Sequence, residues 1–299
     1  MKISLGPILY YWSREHIYDF YQHALNWPAS TIYLGETVCS KRRSLRTSEW
    51  IDLARALANK DKQTVLSTLT LIESESELST LTKLCDNGDL LVEANDLAAV
   101  QLLSERHLPF VAGPALNVYN ANTLGHLYRS GMVRWVPSID MSVGTLDAIL
   151  QDAEMLGFRS TFQVEVFAFG RMPLAHSARC FTARYRNIQK DNCSFMCLEY
   201  PEGLPVYTQD NRRILTLNGI QTQSGDVLNL LPEWKAMRDM GISLMRISPQ
   251  MQHTHEIVER VHTALSEDRI PDIGGLFDGE GCNGYWHGEA GHRQLDSRR

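Results

Sequence analysis

The chain has 299 residues, 43% of them hydrophobic and 21% charged, with a formal net charge of −6. That length can bury a full core, as one large α/β domain or two modest ones. The acidic balance excludes a dedicated phosphate-backbone binder, which carries a basic face, so nucleic acid is not an expected partner.

Short β-branched or apolar runs alternate with longer amphipathic ones. Strand-like runs cover residues 2–5, 31–34, 64–68, 90–93, 109–112, 133–136 and 161–167. Helices are expected at 14–26, at about 49–59 behind the N-cap chemistry of Thr47 and Ser48, and at 73–87, 96–106, 120–130 and 143–156. Gly88, Gly131 and Gly157 stop three of them. After 161–167 the rhythm breaks, at Gly170 and Pro173, into a polar loop. It resumes with a strand at 213–217, a helix at about 230–240, a strand at 244–247 and a helix at 255–265.

About eight strand–helix units predict a (β/α)8 TIM-like barrel. On this reading residues 1–299 form one barrel-like domain, with a cysteine-bearing loop inserted after strand seven at about 168–212 and a C-terminal tail at about 268–299. A doubly wound open sheet shares the local pattern, but the early Gly6-Pro7 loop lacks the G-x-G-x-x-G of a dinucleotide site.

A barrel places its functional side chains in the loops after the strand C-termini. Those loops carry Glu36 and Cys39, then Ser67 and Thr68, Glu93 and Asn95, and Asn117. Residues 165–197 follow the seventh strand, Asn218 and Gln221 the resumed one, and Ser248 and Gln250 the last. Cys180, Cys193 and Cys197, three of the six cysteines, share the long loop with spacing C-x12-C-x3-C. Cys39 faces the same end of the barrel and can supply a fourth thiolate.

The N-terminus, MKISLGPILYYWS, has neither the apolar core nor the cleavage site of a signal peptide. No run approaches the roughly 18 continuous apolar residues of a transmembrane helix. The expected compartment is the cytoplasm, where thiols stay reduced and clustered cysteines bind metal more often than they pair. Four thiolates can hold zinc or an iron–sulfur cluster. Zinc sites usually offer paired knuckles, and only Cys193 and Cys197 approximate one. Arg179, Arg184, Arg186, Lys41, Arg42 and Arg43 flank the thiols, and such cations favour thiolate and a net-negative cluster. Three alternatives stay open from the residues alone: buried apolar cysteines, the zinc knuckle, and Cys282 in place of Cys39. Cys85 reads as core.

The segment EVFAFGRMPLAHSARC resembles the signature E-x-F-x-x-G-x-[LIVM]-C-x4-G-x-C of the collagenase-like peptidase family, peptidase family U32. Glu165, Phe167, Gly170, Met172 and Cys180 match it; Pro173 and Ala178 stand where the family has a cysteine and a glycine. Further stretches, among them YLGETVCSKRR, PFVAGPALNVYNA, LNGIQTQSG and CNGYW, resemble the ubiquinone-biosynthesis branch of that family. The resemblance implies a [4Fe–4S] cluster on Cys39, Cys180, Cys193 and Cys197. It also implies a heterodimer with a UbiU-like protein and a UbiT-like lipid-binding accessory protein in the same pathway. The implied activity is oxygen-independent hydroxylation of a ubiquinone precursor, with prephenate as the oxygen donor.

Cationic anchors for that donor would be Arg171, Arg179 or the Lys41–Arg43 run, the run also reading as a solvated helix start. Glu165 would orient a polar group at the barrel mouth or make a structural hydrogen bond. Tyr285 and Trp286 would line an apolar pocket or pack in the core. The alternative reading is a non-catalytic subunit whose cluster only staples the fold. Proteolysis is not expected: neither a local nucleophile–His–acid motif nor H-E-x-x-H is present.

Overall fold

The computed structural model describes residues 1–58 and 62–296. Its strands in chain order are β1 (Lys2–Leu5), β2 (Thr31–Leu34), β3 (Gln63–Ser67), β4 (Leu91–Ala94), β5 (Phe110–Ala112), β6 (Met132–Trp135) and β7 (Gln163–His176). They continue with β8 (Leu204–Tyr207), β9 (Arg213–Asn218), β10 (Gln221–Asn229), β11 (Leu244–Ile247) and β12 (Gly281–Cys282). β1 through β7 pair in sequence order and all in parallel; β11 pairs in parallel with both β7 and β1 and so closes the ring. The result is the expected eight-stranded parallel barrel, not an open sheet.

Helices α1 (Arg14–Ala24), α2 (Thr47–Ala58), α3 (Glu75–Cys85), α4 (Leu97–Glu105), α5 (Ala121–Arg129) and α6 (Val143–Met155) connect successive barrel strands. Short polar side chains start most of them by accepting the first free N–H groups: Ser13, Ser74, Asp96, Asn120 and Ser142. Ser74 and Glu77 form a full capping box. α2 begins at Thr47, earlier than expected, because Glu49 reaches back to the Arg46 N–H; its expected last residue, Asn59, lies outside the described residues. α7 (Phe181–Tyr185) belongs to the insertion, and α8 (Trp234–Asp239) and α9 (Thr254–Ser266) flank β11. Among the described residues, no helix is long and apolar enough to cross a membrane.

Alternate residues on a barrel strand face opposite ways. Ile3 and Leu5, Ile32 and Leu34, and Met245 and Ile247 join the large core between strands and helices. Ser4, Tyr33, Arg134, Glu165 and Arg246 point inward and bond to one another. Tyr33, Val65, Val111 and Val136 form a small separate apolar cluster.

Three expectations need correcting. The seventh strand does not stop at Phe167: β7 runs on to His176 because, past the barrel rim, it pairs antiparallel with β10. Pro173 lacks a donor N–H, and it is tolerated because the ladder is irregular there, with register shifts on both sides of its partner Gln223. The run at 213–217 is not a barrel strand but β9, which pairs antiparallel with β10 and β8. The stretch taken as loop at 168–212 is therefore the first part of a small antiparallel extension of the barrel sheet, reaching through β10. Finally, the helix at 230–240 is a short 3-10 turn leading into the six-residue α8.

Candidate functional site

The barrel interior holds a closed ionic network. Glu165, with no exposed surface, accepts from Ser4 Oγ at 2.7 Å, Tyr33 OH at 2.5 Å and Arg246 Nε at 2.6 Å. Arg134 Nη1 lies 3.4 Å from its second oxygen, and Arg134 Nη2 donates to Gln63 and Gln163. Arg246 Nη1 lies 2.7 Å from Glu93 Oε1, off the hydrogen-bonding direction, so the contact is an ion pair. The Arg246 guanidinium also sits over the Tyr33 ring, 4.0 Å from its centre. Two arginines and two glutamates leave the interior neutral. Burial alone would push the Glu165 carboxyl up, but the Arg246 and Arg134 guanidiniums pull it below its ordinary value. Glu165 thus serves the interior and does not stand at the mouth.

Above this floor lies a cavity of about 470 Å3, bounded by the loops after the other seven barrel strands, by the extended end of β7 and by Tyr285 of the C-terminal tail. Glu93, Asn95, Asn117, Gln221 and Ser248, all expected at loop positions, line it. Arg246 and His176 line it too and were not legible in the sequence. Trp286 is not at the cavity wall; it is buried in the main core.

Beside the cavity the cysteines gather. Cys39, in the loop after β2, and Cys180 pack on the same small apolar group, Leu9, Val38 and Ile220. Leu9 and Leu71 belong both to this group's surroundings and to the cavity wall. Cys39 lies near Cys180, and Cys180 near Cys193 and Cys197. All four are half-buried and none is in a disulfide. Cys180 caps α7, its Sγ accepting from Ala183 N–H. Cys193 and Cys197 sit on two 3-10 turns joined by Ser194 and Phe195, which have φ of 49° and 56°. Two successive left-handed non-glycine residues are a costly backbone path that the surroundings must hold in place. Among the described residues, no three His, Cys, Asp or Glu side chains converge on one point as a single ion would need.

The basic run after Cys39 is not a solvated helix start. Arg42 is buried, 6% exposed, and donates to Leu9 O at 2.8 Å and to Asn218 Oδ1 at 2.6 Å. It lies beside Cys197 and Cys39. Lys41 pairs with Asp191 at 2.6 Å and donates to Lys190 O, which pins the β2 loop to the insertion. Arg43 and Arg179 are exposed. Arg171 is buried and occupied by two backbone carbonyls, those of Gly225 and Asp278. Arg42 acts on Cys39 in the expected sense, favouring the thiolate, but burial outweighs it. Burial pushes Cys39 up to about 11 despite Arg42, and burial raises Cys180. A bound metal group, by displacing the protons, would hold Cys39 and Cys180 as thiolates.

The β9–β10 hairpin ties these parts together. Gly219 occupies the first position of its two-residue loop with φ +68°, which glycine adopts without strain. Its tip bonds the segment around Cys180 through Ser177 N–H, Phe181 N–H and Thr182 Oγ1. A Cβ added at Gly219 would meet Arg42 Nη2 at 3.1 Å and Cys197 Sγ at 3.7 Å. The remaining cysteines are elsewhere: Cys85 and Cys282 are fully buried in the main core. Burial pushes both thiols up to about 12.

Four half-buried thiols beside a buried guanidinium and a lysine fit an anionic four-thiolate group. Among the described residues, no serine, threonine or cysteine side chain hydrogen-bonds a histidine ring; the rings pair with Arg129, Gln221, Glu256, Glu259, Asn283 and Glu233.

The family model described as Peptidase family U32 matches residues 18–267. Among solved structures, the chain is similar to a U32 peptidase, with 14% identity and a TM-score of 0.44 over 84% of this chain and 93% of the other. It is also similar to dihydropteroate synthase from Thermus thermophilus, with 12% identity and a TM-score of 0.43 over 88% and 94%. For the dihydropteroate synthase of Yersinia pestis the values are 11% and 0.39 over 89% and 93%.

Proposed function

The chain belongs to peptidase family U32, and from that premise we propose that it is a UbiV-like iron–sulfur subunit of oxygen-independent hydroxylation in ubiquinone biosynthesis. One observation carries the reading. Cysteines from two loops far apart in sequence meet at the C-terminal face of the barrel, around buried Arg42 and next to the large cavity. Cys39, Cys180, Cys193 and Cys197 would hold a [4Fe–4S] cluster, which when bound supplies one-electron transfer. A four-iron cube spreads its ligands more widely than a single ion does, so half-buried thiols on separate turns suit it better than a zinc knuckle. Arg42 places a fixed positive charge against the thiolates. The cavity would take the ubiquinone precursor or prephenate, and the chain would work in the cytoplasm as a heterodimer with a UbiU-like protein, with a UbiT-like protein serving the same pathway.

A second reading has its own support. The cysteines and the Lys41–Asp191 pair join the β2 loop to the insertion, so a cluster there would staple the fold while the partner carried out the chemistry.

Anaerobic purification with iron, sulfide and zinc analysis tests the first reading. About four irons and four sulfides per chain are expected. Alanine at Cys39, Cys180, Cys193 or Cys197 should abolish them, whereas Cys282→Ala should retain them. Stoichiometric zinc without sulfide would overturn the proposal. Hydroxylation assayed with each subunit alone and with both together separates a catalytic from a stapling cluster.

A further inference from the structure

A row of side chains crosses the sheet end from the cysteine site to the cavity, and its hydrogen bonds can run in one direction only. Arg42 Nη2 donates to Asn218 Oδ1 at 2.6 Å, and a guanidinium has no acceptor. Asn218 Nδ2 must then be the other end of that amide. It donates to Leu9 O at 2.8 Å, a group that can only accept, and to Gln221 Oε1 at 3.0 Å. Gln221, 1% exposed, therefore turns its NH2 toward the His176 ring, with Nε2 to Nε2 at 3.0 Å. Because that amide nitrogen can only donate, the ring nitrogen facing it must accept. The backbone register holds the row in place: Asn218 is paired with Gln221 across β9 and β10, and Gln221 with His176 across β10 and β7.

Two consequences follow for the ring. A proton on Nε2 would point at the Gln221 NH2, so the imidazole stays neutral and carries its hydrogen on Nδ1. Burial acts in the same sense, pulling His176 down to about 4. Nδ1 meets no protein partner among the described residues, yet it is not one of the sealed, unpartnered polar atoms. His176 is half-buried at the cavity wall.

We propose that His176 is a binding residue of the barrel cavity, held by Arg42, Asn218 and Gln221 as the Nδ1–H tautomer so that it donates a hydrogen bond to a carbonyl or carboxylate oxygen of the bound molecule. The inference rests on the cavity and the row alone. It stands whether or not a cluster occupies the cysteines.

The full chain, labelled with 15N-histidine, tests this by long-range proton–nitrogen correlation, with the His176 signal identified by its loss in His176→Phe. The wild type should show a neutral Nδ1–H ring at pH 7. Gln221→Glu is nearly isosteric, and its carboxylate can only accept, so the tautomer should reverse to Nε2–H. Asn218→Asp should reverse it as well, by turning the Gln221 amide around; a side chain that merely filled space would produce neither reversal. An Nε2–H ring in the wild type, or the same tautomer in wild type and both variants, overturns the proposal. Benzamide and benzoate then serve as ligand probes. Saturable movement of the Nδ1–H signal by benzamide identifies a carbonyl, and movement by benzoate a carboxylate, with binding weakened at least tenfold in Gln221→Glu. No movement with either probe overturns the assignment of a ligand contact.

Discussion

Inside the barrel, Arg134, Arg246, Glu93 and Glu165 are buried and matched in charge, and most of their polar atoms are met by one another or by Ser4, Ser67 and Tyr33. In the insertion the charges are handled differently. Lys41–Asp191, Arg186–Glu199 and Lys190–Glu73 are at least partly exposed pairs on turns, and the thiols they surround are half-buried and outside any disulfide. The interior spends its charges on holding one arrangement, and the insertion leaves its polar groups available. Arg42 crosses between the two styles: it is buried like an interior residue and lies beside the cysteines.

The largest expected effect breaks the interior. Glu165→Leu removes the carboxylate that Arg246 and Arg134 share, leaving Arg134 with no carboxylate partner, Arg246 with Glu93 alone and one buried positive charge uncompensated. Unfolding by urea should show a loss of roughly 3–5 kcal/mol, or failure to fold. A loss below 1 kcal/mol would mean that water reaches the network and that the two regions are less different than described.

The same residue gives a pH test. The folded-state pKa of Glu165 lies below the unfolded value of about 4.3. Its contribution is therefore fully present above that value and is lost as pH falls through the lower folded one. The stability gap between wild type and Glu165→Gln should be constant near neutrality and shrink below about pH 4.3. Urea midpoints that fall in parallel down to pH 3 would rule out the paired carboxylate.

The two regions were also unequally legible. Runs such as TIYL and LMRI, bounded by capped helices, announce barrel strands because period and caps are local signals. Three of the cysteines stand out by spacing, and the barrel topology alone brings Cys39 to their end. Local signals fail where the partner is distant. Pro173 reads as a strand terminator because nothing nearby says that β10 will bulge to receive it. Arg42 reads as solvated because its acceptors, Leu9 and Asn218, are 33 and 176 residues away. Arg246 and His176 were missed for the same reason: one is defined by Glu165, the other by Gln221.

A medium effect probes the junction. Gly219→Ala forces an L side chain to hold φ +68° and places its Cβ 3.1 Å from Arg42 Nη2. Backbone strain of about 1–2 kcal/mol should appear in urea unfolding, and Arg42 must shift. An unchanged midpoint would show that the hairpin tip yields and does not hold the cysteine loops.

The smallest effect belongs to the surface pairs, and it sharpens the contrast best. Lys41 Nζ and Asp191 meet at 2.6 Å, but the aspartate side chain is 87% exposed. Water and salt screen such a pair, and holding a long lysine in one geometry costs entropy that offsets most of the attraction. Lys41→Gln should leave the urea midpoint close to wild type, and raising the salt concentration should erase whatever difference remains. The interior variant must behave otherwise, since ions cannot reach Glu165: its loss should persist at high salt. If both variants lose stability and both losses vanish with salt, the interior is not sealed. If neither responds to salt and both are large, the insertion is built as rigidly as the barrel, and its open thiols need another explanation.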